Sequence, residues 1–494
     1  MPSARPLSPD MAARKAAGAV YTPDALAGLV VARTLATMPD PPAALLDPAC
    51  GTGHFLVAAW RALRQRWTGG PPPVARLSGI ERDPAAAAAC RETLLACAER
   101  DRVELGARPA KPRILVADAL SHECDEQEGR FDAVVGNPPY VRIDRLTPAD
   151  RAALAARFGP WLAGKWDLYH CFLARSLEFL KPGGSLGFLT PNQYLLGRSA
   201  ARLREQLATT AEIAEVVDLC GLEPFDRAIP PAAITVLSRR RPDPGHAVRI
   251  SAVLPGQGRD APPPDGRDVV AAIAEAPVAT VTQARWQARP WSVLAPDPFL
   301  SWLDRLGAPR LGDVCPRMTE GDTRRAEEKA ILPAALAPPD WWPAVRGRDV
   351  TAAGLAVPAG ADRLPPPARP AGPRVLVRDV APRLVAAPDT GGVRCLRTVY
   401  CLALSDAGQA AGLAALLNSD VLAWLYIRLF YSSKMSPRAA NFRFQSQFLA
   451  ELPILLPPPS AMGSGLAAWV RDAYRVPPDE YAGIRSLLAR LRAV

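Results

Sequence analysis

The stretch Phe131-Asp132-Ala133-Val134-Val135-Gly136-Asn137-Pro138-Pro139-Tyr140-Val141 leads an apolar run into an amide, two prolines and an aromatic ring. Consecutive prolines donate no backbone hydrogen bonds and hold φ fixed. The loop carbonyls and the side-chain oxygen of Asn137 are thereby presented as rigid acceptors. Two such acceptors hold both hydrogens of an exocyclic NH2 and turn the nitrogen lone pair out of conjugation, which makes that nitrogen a nucleophile. Tyr140 offers a flat face to a planar ring, worth roughly 1–3 kcal/mol when the ring is a nucleobase. An ordinary turn after an edge strand explains Pro138 and Pro139 but not the Asn137 and Tyr140 that flank them.

A second group of residues reads as a holder for a charged small molecule. Asp47-Pro48-Ala49-Cys50-Gly51-Thr52-Gly53-His54-Phe55 follows a short apolar strand and opens a helix. Gly51 and Gly53 permit a tight turn and close backbone approach, and the helix start beyond them offers unpaired N–H groups. Asp47, at the strand end, is placed to take an ammonium group. The phosphate-cradling patterns G-x-G-x-x-G and G-K-[ST] do not occur at this turn. Thirty-four residues after Asp47, Gly79-Ile80-Glu81-Arg82-Asp83-Pro84 puts a carboxylate at the next strand end, where a ribose-binding acid belongs in a doubly wound sheet. Glu81 takes that role, and Asp83 is expected as an N-cap with Pro84 at N1. Val116-Ala117-Asp118-Ala119 places Asp118 at the end of a third strand, where it can accept from an adenine amino group. Each acid alone reads equally well as a cap or a solvated charge; three at successive strand ends point to one bound cofactor.

These groups need a frame. From Val20 to about Arg240 apolar strands alternate with amphipathic helices, the pattern of a parallel sheet covered on both faces. Strands are expected at Ala44–Leu46, Arg76–Ile80, Arg113–Val116, Ala133–Val135, Ser185–Leu189, Glu215–Asp218 and Ile234–Leu237, with helices at Gly53–Arg66, Pro84–Glu99, Asp167–Leu180 and Arg198–Ala208. The expected fold is α/β: a seven-stranded, doubly wound, Rossmann-like sheet. Residues 1–19 read as a polar tail, 20–240 as this domain, 241–304 as a Pro-rich connector or accessory layer, and 305–455 as a second, mixed α/β domain. Residues 456–494 read as a Pro-rich break and a terminal helix, Tyr481–Leu491.

Charge and composition narrow the partners. The net charge is +10 over 494 residues, and residues 341–450 hold 13 basic and 6 acidic groups, a net of +7 that is almost entirely arginine. Arginine forks suit phosphates and base edges, although the same excess also reads as a plain soluble surface. Nine scattered cysteines without a C-x-x-C argue against disulfides and a cysteine zinc site. Four histidines, His54, His122, His170 and His246, form no metal motif, so no metal is expected. Leu413 to Leu429 is broken by Asp420 and Arg428, so no membrane span is expected.

Asp47–Phe55 and Asn137–Tyr140 resemble motifs I and IV of the S-adenosylmethionine-dependent amino-methyltransferases. Gly18-Ala19-Val20-Tyr21-Thr22-Pro23 resembles the motif X that precedes motif I in the gamma class of adenine-N6 DNA methyltransferases, as in Taq-type and Eco-type type II modification enzymes. The resemblance implies that Tyr21, Thr22, Asp47, Ala49, Gly51 and Gly53 frame the methionine end of S-adenosylmethionine, with Glu81 on its ribose and Asp118 on its adenine. It implies that Asn137, Pro138, Pro139 and Tyr140 hold the target amino group, with Phe225 stacking on the other face of the base. Gly164-Lys165-Trp166-Asp167-Leu168-Tyr169 is similar to the segment lining the target pocket, and Val217-Asp218-Leu219 to motif VIII.

The second domain resembles the target-recognition domain of those enzymes through Trp342–Val350, Leu416–Asp420, Phe442-Arg443-Phe444 and Leu452-Pro453-Ile454. On this reading Arg346, Arg348, Arg378, Lys434 and Arg443 contact DNA. At its start the family often has a Gly-rich stretch with an aromatic, and this chain departs from it with Met318-Thr319-Glu320-Gly321-Asp322-Thr323-Arg324-Arg325. The likeness spans about 20–240 and 305–455.

The implied reaction flips an adenine out of duplex DNA and methylates its N6 in line, with no metal and no cysteine nucleophile. Methylation of a protein glutamine amide or of an RNA base uses the same loop chemistry, and an inactive DNA-binding scaffold subunit is the alternative of another class. A bacterial, cytoplasmic, nucleoid-associated monomer is expected. Any restriction cutting is assigned to a separate endonuclease chain, since about 20 residues before the domain are too few for a nuclease.

Overall fold

The computed structural model of the chain describes residues 22–222, 231–254, 267–287, 289–323, 325–367, 372–433 and 441–478, together with 480, 481, 483, 484 and 488. The chain divides into two compact units, residues 1–297 and 298–494.

The first unit is built on one sheet of nine strands in the order β3-β2-β1-β4-β5-β7-β6-β8-β9. They are β1 (Leu45–Asp47), β2 (Leu77–Glu81), β3 (Arg113–Val116), β4 (Phe131–Gly136), β5 (Leu180–Pro191), β6 (Glu212–Asp218), β7 (Ala232–Ser238), β8 (Ala247–Ala252) and β9 (Val278–Thr282). From β3 to β5 all neighbours run parallel. β7 is antiparallel to both β5 and β6, so β6 again points the same way as β5. The expected seven strands are all present, but the count is corrected to nine. Residues 241–304, expected as a connector or accessory layer, supply β8, parallel to β6, and β9, antiparallel to β8. Short apolar runs between prolines carried too little periodicity to show that they extend a sheet edge.

Strand order reverses between β1 and β4: the chain builds outward through β2 and β3, then returns to lay β4 and β5 on the other side of β1. That reversal opens a crevice at the carboxyl ends of the strands. Four helices pack into a single apolar core beneath it: α1 (Asp24–Ala36), α2 (His54–Gln65), α3 (Pro84–Leu105) and, from the segment before β9, α7 (Arg267–Glu275). Between these in sequence lie α4 (Pro148–Phe158), α5 (Leu168–Phe179) and α6 (Ala201–Thr210). α3 begins as its residues dictate, with the Asp83 side chain accepting from the Ala85 N–H at 2.9 Å and Pro84 at N1. α1 was not legible in sequence. Its apolar residues wrap most of its circumference: Leu26, Ala27, Val30, Val31 and Leu35 form the buried face, and Ala25, Leu29 and Ala32 continue around the other side.

The second unit is mixed α/β. Its main sheet places Met318–Glu320, Val399–Ala403, Arg374–Arg378 and Ala386–Asp389 side by side, all antiparallel. Two helices, Ala407–Leu417 and Asp420–Phe430, follow, capped by Asp406 and Ser419. Both are largely buried. Among the described residues no single helix is long and apolar enough to cross a membrane; this pair, bent by 66°, matches a span in length and composition only. The expected terminal helix 481–491 lies largely outside the described residues.

Candidate functional site

Because β1, β2, β3 and β4 are parallel, their carboxyl ends share one edge. Asp47 closes β1, Glu81 closes β2, Asp118 lies two residues past β3, and Asn137 follows β4 directly. The register, with Leu46 opposite Val134, brings the ends of β1 and β4 level.

The turn after β1 is held from both sides. Gly51 and Gly53 sit at φ of +52° and +97°, in the left-handed region open to glycine, and Gly53 is the N-cap of α2. A Cβ on Gly53 would stand 2.9 Å from the Cys90 sulfur of α3, so the turn is also pressed against the neighbouring helix. The Gly51 N–H donates to Glu81 Oε2 at 2.8 Å, and the Asp83 N–H donates to Glu81 Oε1 at 2.8 Å. The Ala49 N–H donates to Asp47 Oδ1 at 3.0 Å.

Asp47 is 2% exposed and, among the described residues, has no cationic partner. Burial pushes its carboxyl up to about 8; the Ala49 N–H holds it back and the nearby Glu81 charge adds to the rise. Asp118 is half-buried, with Oδ1 accepting from the Leu120 N–H at 2.9 Å.

Asn137 reaches across the crevice. Its Nδ2 donates to the Thr22 hydroxyl at 2.9 Å, which orients the amide and joins the segment before α1 to the loop after β4. Thr22 is 3% exposed. Pro138 is buried, and Pro139 and Tyr140 are half-buried. Burial pushes the Tyr140 phenol up, opposed by its hydrogen bond with Asn137. The loop is braced by the segment containing Trp166 and Asp167: Leu168 N–H donates to the Val141 carbonyl at 2.8 Å and Ile143 N–H to the Trp166 carbonyl at 3.3 Å. Tyr169, from α5, meets the Tyr140 ring edge-on at 6.5 Å. Burial pushes the Asp167 carboxyl up to about 6, against the pull of Arg142.

The sequence-predicted residues Thr22, Asp47, Ala49, Gly51, Gly53, Glu81, Asp118 and Asn137–Tyr140 thus gather at one sheet edge. Tyr21 and Phe225 lie outside the described residues, as does Lys434. On this edge Gly136 and Asn192 had no assigned role, and Asp218 stood only as part of the motif VIII likeness. A Cβ on Gly136 would fall 2.8 Å from Asp47 Oδ1, so this glycine makes room for the carboxylate. Asn192 Nδ2 donates to Asp218 Oδ1 at 3.1 Å across the ends of β5 and β6, and both residues are buried. The signal that singled out Glu81, a polar residue ending an apolar strand, was present at Asp218 and Asn192 as well.

In the second unit, Arg346, Arg348 and Arg378 line a single groove of about 440 Å³ together with Asp379, Arg397 and Thr398. Arg346 pairs with Asp362 at 2.6 Å, and Arg348 is 73% exposed with Asp349 at 3.8 Å. Arg443 stands apart from the groove lining but pairs with Asp379 at 3.3 Å. The stretch that departs from the family pattern is built into this unit. Asp322 accepts from Arg374 at 2.7 Å and Arg394 at 3.2 Å. Among the described residues there is no cluster of three or more metal-ligating side chains.

The chain is similar to known proteins over part of its length. Residues 97–225 match the family described as Eco57I restriction-modification methylase. Over 219 residues the chain is 30% identical to the type II methyltransferase M.PaeR7I of Pseudomonas aeruginosa, covering 42% of this chain and 37% of that protein. Over 98 residues it is 41% identical to M.BanIII of Aneurinibacillus aneurinilyticus, covering 20% of this chain and 17% of that one. The chain therefore spans less than half the length of these relatives. Among solved structures it resembles the type IIL restriction-modification enzyme MmeI in complex with DNA, with a TM-score of 0.57 and 14% identity over 95% of this chain and 71% of that one. That likeness is one of fold.

Proposed function

We propose, from the likeness to type II restriction-modification methyltransferases, that this chain transfers a methyl group from S-adenosylmethionine to N6 of an adenine flipped out of duplex DNA. The observation that carries the reading is that the Asp47 turn and the Asn137–Tyr140 loop leave adjacent parallel strands at the strand-order reversal, with Gly136 against the Asp47 carboxylate.

The residues present fit the cofactor. Asp47 is a buried acid with no cation beside it among the described residues, suited to an ammonium group; Glu81 suits ribose hydroxyls and Asp118 an adenine amino group. When bound, the cofactor supplies a methyl group already activated on a sulfonium. The chain's own work is placement. Asn137, oriented through Thr22, and the loop carbonyls accept the two N6 hydrogens and direct the lone pair. Tyr140 stacks on the base, and Phe225 is assigned the opposite face. The N6 proton leaves late, to water. Rate comes from alignment, and flipping costs a few kcal/mol that stacking offsets in part.

The test is methyl transfer from labelled cofactor to unmethylated duplex DNA, with the modified base mapped at nucleotide resolution. In N137A and Y140A, cofactor affinity by calorimetry stays within a few fold while turnover falls by about 100-fold or more. Equal loss of binding and turnover would remove the loop from the reacting centre. Transfer to RNA or to a protein glutamine in place of duplex DNA would overturn the substrate assignment.

A further inference from the structure

The groove arginines of the second unit differ in how they are held. Arg346 is neutralised by Asp362, Arg397 lies 3.7 Å from Glu320, and Arg348 is largely in solvent. Arg378 is fixed and, among the described residues, makes no ion pair, with Glu328 and Asp379 the carboxylates that also line the groove. It ends the strand Arg374–Arg378, is half-buried, and donates through Nε to the Val380 carbonyl at 2.7 Å. Its Cγ packs against Gly347, 3.4 Å from where a Cβ would stand, while the Thr398 carbonyl, 2.8 Å from that Cβ, is what keeps the position a glycine. Among the described residues no carboxylate pairs with it. The Nε bond fixes the guanidinium plane and leaves the Nη1 and Nη2 edge as a preorganised pair of donors.

A flexible, exposed arginine suits a phosphate, which accepts from many directions. A recessed fork with a fixed plane suits two coplanar acceptors at a set spacing, and guanine O6 and N7 in the major groove are such a pair. We propose that Arg378 reads a guanine in the target sequence, while Arg348 makes a phosphate contact that positions the duplex. This rests on the DNA-directed reading above but not on methyl transfer itself.

The test uses the full chain, wild type and the R378K and R348A variants, in selection from a random duplex pool followed by sequencing. R378K keeps the charge and loses the planar fork. The wild type is expected to enrich a motif containing a G·C pair. R378K is expected to lose its preference at one G·C position, by roughly ten- to a hundredfold, and keep the rest of the motif. R348A is expected to keep the whole motif and bind all sequences more weakly. Thermal melting of each variant checks that the fold is intact. An unchanged motif in R378K, or no motif in the wild type, overturns the assignment. A wild type that enriches a motif yet transfers no methyl group sinks the enzymatic reading and leaves the role of Arg378 standing.

Discussion

Asp47 shows how much one buried side chain fixes. It lies at a strand end that was readable from an apolar run followed by Asp-Pro, yet its protonation was not readable, because that depends on what covers it. Burial raises its carboxyl to about 8, whereas in an unfolded chain it titrates near 4. Between those values the fold binds one more proton than the unfolded chain, so this group's contribution to stability is lost as pH rises through that window. Under the proposed function cofactor binding has the opposite slope, since an ammonium group would need the ionised carboxylate. From pH 6 to 7 the cofactor is expected to bind about tenfold more tightly, with net release of a proton. Calorimetry in two buffers of different ionisation enthalpy measures that proton. D47N is expected to bind weakly with no proton release, and an unchanged release in D47N would move the ammonium site elsewhere.

At the scale of elements, two glycines separate the roles of a turn and of a strand end. Alanine at Gly53 must adopt φ near +97° and push on Cys90, so G53A is expected to disturb the start of α2, cost about 1–2 kcal/mol or more and lower the melting temperature. Alanine at Gly136 meets chiefly the Asp47 carboxylate, 2.8 Å away. G136A is therefore expected to melt close to wild type while losing cofactor affinity about tenfold or more, the loss of a charge-assisted contact; the two measurements together distinguish the mechanisms. In the second unit, Asp322 joins two nearly buried arginines and also accepts from the Cys395 N–H at 2.9 Å. D322A removes that shared partner while Asp389 still pairs with Arg374 and Glu327 with Arg394, so it is expected to destabilise the unit by about 1–3 kcal/mol, read from the denaturant midpoint. The stretch that departs from the family pattern is thus a structural keystone of this unit.

For the molecule as a whole, the arginine excess in residues 341–450 divides into two populations that composition cannot tell apart. Arg374 and Arg394 are 5% and 4% exposed and bound in ion pairs, so they hold the unit together. Arg348 is free to meet a polyanion, and R348A is expected to reduce the slope of log affinity against log salt by about 0.9, measured by anisotropy on a duplex at several salt concentrations. An unchanged slope would take Arg348 off the interface. Order along the chain was legible because it is local: strand runs, the Asp83 cap, the paired prolines and the glycine turn each declare themselves within a few residues. The sequence therefore determined seven strands, the turn after β1 and the loop after β4. Only the tertiary structure decided that β8 and β9 extend the sheet, that Thr22 orients Asn137, that Gly136 makes room for Asp47, and which arginines face a groove. Those outcomes depend on parallel registers and on contacts between residues as many as 115 positions apart, and no local pattern encodes which distant side chain will close the gap.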